Sequence, residues 1–540
     1  MESSENVVPG SLEVHSPFRL TGRWLPAAAL GFGVAIAAAG AYLILSHTPW
    51  GVGVTHDGLF YLSAAQNFAA GEGVSWIGSG GQLKPLVHFP PFYPVVLGLL
   101  VRFGTSPAEA ARWLSAVLFG LSASLLGFAI HRGTRHLWLG LVAAVIWLTS
   151  PVLLSVHLAA MSEPLYLALA LLGLVSMASY IVRPSRRALV LSAAAVGMAW
   201  FTRWVGASLV AAFAVALLTL RRESLRDRLR VTITFLTIAV LPVALWLARN
   251  IALTGSPTNR TLGYHPPTLD TLRQLLDVLT RWVTTAHLSH WLEAIVLAAG
   301  VVLMGAISIR QLTVGRAGRA YGATLSLIGL FSLVSYLLFL TASLTFFDAS
   351  TRVDDRILSP VLPLGVLVIL TSLGSLLPDD WRSLLAAPLV VAALWVTLPN
   401  AWARSGMLLT SMREEGLGFA SRTWQQSATV EWIRGLPREA ILYTNEPAAL
   451  QYLASRAARG IPQRYDPVTL IPHTDYLEQL EGMRSELRQP GSALVIFSPG
   501  SWPDEAAPMR DLTAGLVVLA STPDAQIYVH PDSPEMPSPP

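Results

Sequence analysis

The sequence predicts a mainly α-helical fold: a polytopic transmembrane helix bundle of about eleven spans, followed by a small C-terminal α/β region. Three observations carry that expectation. Hydrophobic residues make up 53% of the chain and charged residues 13%, against roughly 25% charged in soluble globular domains. Apolar runs approaching the roughly 20 residues that cross a bilayer recur up to about residue 400. The arginines gather in short clusters between those runs, so the formal charge of +4 reads as membrane topology rather than nucleic-acid binding. The chain has no cysteine, which excludes a thiolate nucleophile, a disulfide and a Cys-ligated metal.

Taken in order, residues 1–24 read as a cytoplasmic tail and 25–45 as a first span, retained because no small-residue cleavage site follows it. The membrane domain extends from 25 to 400, with a first outer loop at 46–90. Further apolar runs fall at 113–130, 137–156, 164–182, 231–248, 294–309, 320–347, 357–377 and 383–400. Runs at 188–202 and 204–220, divided by Arg203, read as a pair of short spans. The short run 91–103 reads as a dip into the membrane or a surface segment.

Arginines near 132–135, 183–187, 221–230 and 310–319 share one side with Arg19 and Arg23, which sets that side as cytoplasmic. The loop of Asp57 then faces outward, as do Glu163, Arg203, segment 249–291, the cluster Asp348 to Arg356, and everything after 400. Leu272, Leu275, Leu276, Leu279 and Trp282 recur at helical spacing, predicting an amphipathic helix in that outer segment. From 401 to 530 charge rises and apolar runs shorten. Helices are expected at 427–436 and 446–455, and strands at 440–444, 493–498, 516–521 and 526–530. The Pro/Ser-rich tail 531–540 is expected to be disordered. No internal repeat is evident, which counts against an inverted-repeat transporter.

The outer groups are the candidate chemistry. Asp57, in Thr55-His56-Asp57-Gly58-Leu59-Phe60-Tyr61, either caps the following helix or accepts a proton from an attacking hydroxyl. Lys84, the single lysine of the chain, and His88 precede Pro90-Pro91. Cations there either bind a phosphate or snorkel to headgroups. Glu163 opens a span in Met161-Ser162-Glu163-Pro164, where a carboxylate is costly unless solvated, paired or functional. Arg203 and Arg249 are either interfacial anchors or ligand cations. Arg356 is placed at the start of an apolar helix, the unfavourable end for a cation. An anionic ligand or the neighbouring Asp354 and Asp355 would offset that cost.

In this order, Asp57-Gly58-Leu59-Phe60-Tyr61 with Gly71-Glu72-Gly73, His88-Phe89-Pro90-Pro91, Ser162-Glu163-Pro164, Thr202-Arg203-Trp204, Arg249-Asn250 and Arg356 resemble the GT-C fold glycosyltransferases. That group includes the protein O-mannosyltransferases and the lipid A aminoarabinose transferase. The resemblance covers residues 20–400. It implies inverting transfer of a hexosyl or pentosyl group from a polyprenyl-phosphate sugar donor to a hydroxyl on a lipid, glycan or protein acceptor. The reaction would occur at the outer face of the cell membrane. Asp57, as general base, and Glu163 would be the catalytic acids, and Lys84, His88, Arg203, Arg249 and Arg356 would hold the donor phosphate. Gly58 stands where many members carry a second acid, which argues against a bound divalent metal; no other cofactor is implied. Two other readings stay open, a transporter or lipid flippase and a non-catalytic protein of the same fold.

Overall fold

The computed structural model describes residues 24–283, 289–314, 320–347, 351–378, 381–465, 471–498, 506–532 and 536–537. Arg19, Arg23, Arg316, Arg319 and Asp348, together with most of the 531–540 tail, lie outside them. The first part of the chain is helical. Helix α1 (Trp24–Ser46) leads to α2 (His56–Ala70), a hairpin of β1 (Ser75–Ile77) and β2 (Leu83–Pro85), and α3 (Phe92–Val101). Then follow α4 (Pro107–Thr134), α5 (Leu137–Thr149), α6 (Pro151–His157), α7 (Glu163–Val182), α8 (Arg186–Thr202), α9 (Gly206–Thr219) and α10 (Leu225–Thr254). Helices α11 (Leu269–Val283), α12 (His290–Val314), α13 (Ala320–Phe346), α14 (Val361–Leu376) and α15 (Ala387–Glu414) complete the helical body.

Among the described residues, α4, α7, α10, α12 and α13 are long and apolar enough to cross a membrane. The pair α5 and α6, bent by 59° at Ser150-Pro151, makes a sixth. About eleven spans were expected. Part of the difference arises where an apolar run is interrupted: α8 and α9 have 17 and 14 residues on either side of Arg203. Residues 357–360 belong to the turn before α14, leaving that helix 16 residues. The run at 91–103 forms the ten-residue α3, too short to span. The amphipathic segment forms α11, whose Leu275, Leu279 and Trp282 pack against Tyr336, Val353 and Leu358.

Small residues set how closely these helices approach. A Cβ on Gly120 of α4 would stand 2.0 Å from the Ala37 carbonyl oxygen of α1, so α1 and α4 touch backbone to backbone, as small residues allow in membrane helices. The main core lies among α4, α5, α7, α8, α9, α13 and α14, with Trp147, Tyr166, Phe119 and Phe213 fully buried.

Beyond α15 the chain forms α16 (Arg422–Gln425), α17 (Ala428–Gly435), β3 (Leu442–Thr444), α18 (Pro447–Ala454), β4 (Arg459–Gly460), α19 (Tyr476–Glu486), β5 (Ala493–Phe497), α20 (Met509–Leu512), β6 (Val517–Ser521) and β7 (Ala525–Val529). The strands make one mixed sheet in the order β4-β3-β5-β7-β6, with β3 parallel to β4 and β5. Strands β5, β7 and β6 pair antiparallel. All five residues of β5 are buried, because apolar clusters cover both faces of the sheet. A strand covered on both sides has no need of polar alternation.

Candidate active site

Two short backbone bridges place the first-loop acid. Gly53 N–H donates to the Leu158 carbonyl and Ala160 N–H to the Gly53 carbonyl, both at 2.8 Å. On the other side, Val54 N–H donates to Leu417 O at 3.2 Å and Phe419 N–H to Val54 O at 2.8 Å. Residues 53–54 are thus held between the α6–α7 turn and the segment after α15. Four residues beyond Gly53 comes Asp57, and four beyond Ala159 comes Glu163. One backbone clamp therefore positions both acids.

Thr55 caps α2: its extended backbone turns the chain, and its hydroxyl accepts from Gly58 N–H at 3.3 Å. Asp57 lies inside the first turn instead, which sets aside the capping role weighed for it from sequence. Its Oδ2 accepts from Arg356 Nη2 at 2.5 Å. The same guanidinium donates through Nε to Glu163 Oε1 at 2.7 Å. Arg203 Nη1 reaches that oxygen at 2.7 Å and also donates to Ser162 Oγ at 3.1 Å. Tyr61 OH lies 3.3 Å from the same Ser162 oxygen.

The four charges make a neutral quartet graded in depth. The Glu163 side chain is 1% exposed, Arg203 19%, Asp57 30% and Arg356 33%. A buried carboxylate is tolerated because two guanidinium groups meet it; unpaired, it would carry a desolvation cost of several kcal/mol. Burial works against the Arg356 charge, but Glu163 and Asp57 outweigh it and raise its pKa above the ordinary value. Burial, then the Asp57 charge, pushes the Tyr61 phenol up as well, so it serves as a neutral hydrogen-bonding group.

Arg356 does not begin the apolar helix, since α14 starts at Val361. Nor do its neighbouring aspartates supply its partners. Asp354 accepts from Ile357 N–H at 2.8 Å. Asp355 accepts from Trp282 Nε1 and Arg404 Nη2, each at 2.8 Å. These contacts tie α11 and α15 to the turn that presents Arg356.

The outer members of the quartet open onto a cavity of about 410 Å3. Asp57, Tyr61, His88, Arg203 and Arg356 line it, joined by Arg260, Arg352, Asp354 and Tyr336. Four arginines face two aspartates there, a positive excess that suits a phosphate-bearing ligand. His88 also fixes the wall, its carbonyl accepting from Trp204 Nε1 at 2.9 Å.

Two of the expected phosphate ligands are not among the lining residues. Lys84 is exposed on β2, its stem beside Gly78. Arg249 lies over the Trp246 ring at 4.2 Å and donates to Asn250 Oδ1 at 3.0 Å. Sequence reasoning overlooked Arg260 and left Arg352 unassigned within its charged cluster. Neither lies in a periodic pattern, so only the charge of their segments could have marked them.

Gly58 gains a steric explanation. A Cβ there would stand 3.2 Å from the Ala160 carbonyl oxygen, so the backbone clamp leaves little room for a second acid. Asp57 and Glu163 are both engaged by guanidinium groups, a donor set poorly suited to a divalent cation. Among the described residues, the three-residue group with metal-ligating side chains in reach of one another is Asp277, His290 and Glu293, and it contains neither acid of the quartet.

No protein-family model matches the sequence, and no curated protein does. Solved structures match along nearly the whole chain. ArnT from Cupriavidus metallidurans in the apo state superposes with a TM-score of 0.56 at 16% identity, covering 93% of this chain and 98% of that one. The same protein bound to undecaprenyl phosphate gives 0.56 at 15% identity, covering 95% and 100%. Arabinofuranosyltransferase AftD from Mycobacteria gives 0.50 at 19% identity, covering 93% of this chain and 42% of that one. A likeness so distant in sequence yet spanning nearly the whole chain is one of architecture: the protein has the GT-C fold of polytopic membrane glycosyltransferases.

Proposed function

We propose that this protein transfers a hexosyl or pentosyl group from a polyprenyl-phosphate-linked donor to an acceptor hydroxyl at the outer face of the cell membrane. Its N-terminus is then cytoplasmic and residues 401–530 are extracytoplasmic. The observation that carries the reading is the placement of Asp57 at the mouth of an arginine-lined cavity, held by Arg356 against the buried Glu163.

In the proposed reaction the acceptor oxygen attacks the anomeric carbon as the bond from that carbon to the phosphate oxygen breaks. The hydroxyl proton passes to the Asp57 carboxylate, which has a second oxygen besides the one bonded to Arg356. A single displacement inverts the anomeric configuration. The electron pair leaves with the polyprenyl phosphate, and charge on that group grows as the bond lengthens. Arg203 and Arg356, with Arg260 and Arg352 around the same cavity, provide positive charge where it develops, and His88 lines the cavity beside them. Lys84 and Arg249, away from the lining, take no part in the proposed phosphate set. Glu163 is a positioning residue: it touches no reacting atom and orients both arginines.

The test supplies the full-length protein in nanodiscs with undecaprenyl-phosphate sugars carrying labelled hexoses and pentoses and measures label transferred to acceptor. Transfer that Asp57→Asn abolishes without loss of donor binding is expected. Transfer unchanged in that variant removes Asp57 as base, and no transfer from any donor refutes the enzyme.

A further inference from the structure

Helix α2 has a second flank. Opposite the charged cavity, between α2, the β1 strand and α18 beyond the membrane domain, lies a larger cleft of about 540 Å3. Ligand sites fall in the range of roughly 300–1,000 Å3. Its chemistry is unlike that of its neighbour: none of the described residues lining it is charged. Aromatic surface comes from Phe60, Trp76 and Tyr452, and amide groups from Gln66, Gln425 and Gln451.

These amides differ in what they are free to do. Gln425 spends its Nε2 on the carbonyls of Trp50 and Ala420, at 3.0 and 2.8 Å, which pins the segment joining α15 to α17. Gln66 is exposed and Gln451 half-buried, one on α2 and the other on α18. An amide side chain donates and accepts at once, which matches a hydroxyl that does the same. Aromatic rings offer apolar faces of negative potential to the C–H faces of a pyranose or furanose. A phosphate finds no cation here. The site also sits at the N-terminal end of α4, where Ser106 and Pro107 border it, and not along the apolar sides of the spanning helices.

We infer that this cleft binds a neutral carbohydrate chain. If the transferase reading above holds, that chain is the acceptor. The two sites share one partition: the Phe60 ring lies 4.7 Å from Trp76 in the uncharged cleft and 5.9 Å from Phe89, which lines the charged cavity. Asp57 is one helical turn before Phe60.

The experiment uses the full-length protein in nanodiscs and measures, by separate titrations, binding of neutral oligosaccharides of defined hexoses and pentoses, of uronic-acid oligosaccharides, of a polyprenol and of undecaprenyl phosphate. Neutral chains are expected to bind, and acidic ones to bind at least about tenfold more weakly. Trp76→Ala should weaken neutral-chain binding about tenfold and Gln451→Ala about threefold, each leaving undecaprenyl-phosphate binding intact. Gln451→Ala also guards against misfolding of the tryptophan variant. Absence of neutral-chain binding overturns the inference, as does indifference to both substitutions or capture of the polyprenol by the cleft. Undecaprenyl-phosphate binding that is absent, or insensitive to Arg356→Met, counts against the transferase reading alone and leaves the carbohydrate cleft standing.

Discussion

The two flanks of α2 carry contrasting chemistries. On the Asp57 flank, four arginines and two aspartates line a cavity backed by a carboxylate that is 1% exposed. On the Trp76 flank the lining is aromatic and amide, without charge. The contrast follows from what backs each side. Behind Asp57 stand helix starts and turns, where Glu163 and Arg356 emerge from the helical body with nowhere to go but toward each other. Behind Gln66 stands α18, whose one amide, Gln451, and Tyr452 need no partner of opposite charge. One short helix thereby separates a site that works by charge from one that works by shape and hydroxyl pairing.

The largest effect should come from removing charge on the first flank. Asp57→Asn is expected to lower sugar transfer by about 10²–10⁴-fold, the usual contribution of a positioned base, with binding in the uncharged cleft unaltered. Rates measured against donor and acceptor concentration check both halves. Glu163→Gln should come next: it leaves two arginines facing a neutral amide, and breaking such a buried pair costs about 3–5 kcal/mol. Chemical denaturation followed by tryptophan fluorescence reads that loss. A drop in transfer without any loss of stability would instead make Glu163 a participant in the reaction.

Gly58→Ala should have an intermediate effect. Its methyl would press on the Ala160 carbonyl at 3.2 Å, and crowding of this kind costs about 1–3 kcal/mol. Transfer should fall with stability, because the strained clamp is the one that orients Asp57; an unchanged melting temperature would show the clamp yields. Arg352→Ala, at an exposed edge of the cavity, should weaken undecaprenyl-phosphate binding about tenfold or less, and most at low salt.

The smallest effect concerns the join between α2 and the segment before α18. His56 Nε2 lies 3.1 Å from Glu446 Oε2, and that hydrogen bond, opposed by desolvation and aided by the charges of Glu446 and Asp57, raises the His56 pKa. A raised histidine value means the contact stabilises fully below the ordinary 6.5 and is lost as pH climbs through the folded value. The side chain is 70% exposed, so the effect should stay below about 1 kcal/mol. Thermal unfolding of the native protein should lose a small increment between pH 6 and pH 8 that His56→Gln lacks throughout.

Much of the helical layout is legible in the residues. The apolar runs at 164–182, 231–248 and 320–347 coincide with α7, α10 and α13, because burial in lipid or core demands a continuous apolar stretch whatever the neighbours. The strands at 493–498 and 526–530 were legible for a like reason, as short apolar runs between turns. The site divides more sharply. Asp57, Glu163, Arg203 and Arg356 could each be suspected from the oddity of a charge at the edge of an apolar run. Arg249 and Lys84 show the same oddity, yet lie over Trp246 and Gly78, outside the cavity lining. A cation beside an apolar run looks identical whether an aromatic ring or a carboxylate awaits it.

The sequence alone therefore determined the helical class and the approximate place of its apolar segments, both set by local composition within a few turns. It also determined which charged residues had to find company. Only the tertiary structure decided the company they found. Arg356 meets Asp57 across 299 residues and Glu163 across 193, and Trp76 comes to share a cleft with Gln451. Such pairings depend on how helices cross and loops return, which no local period of the chain encodes.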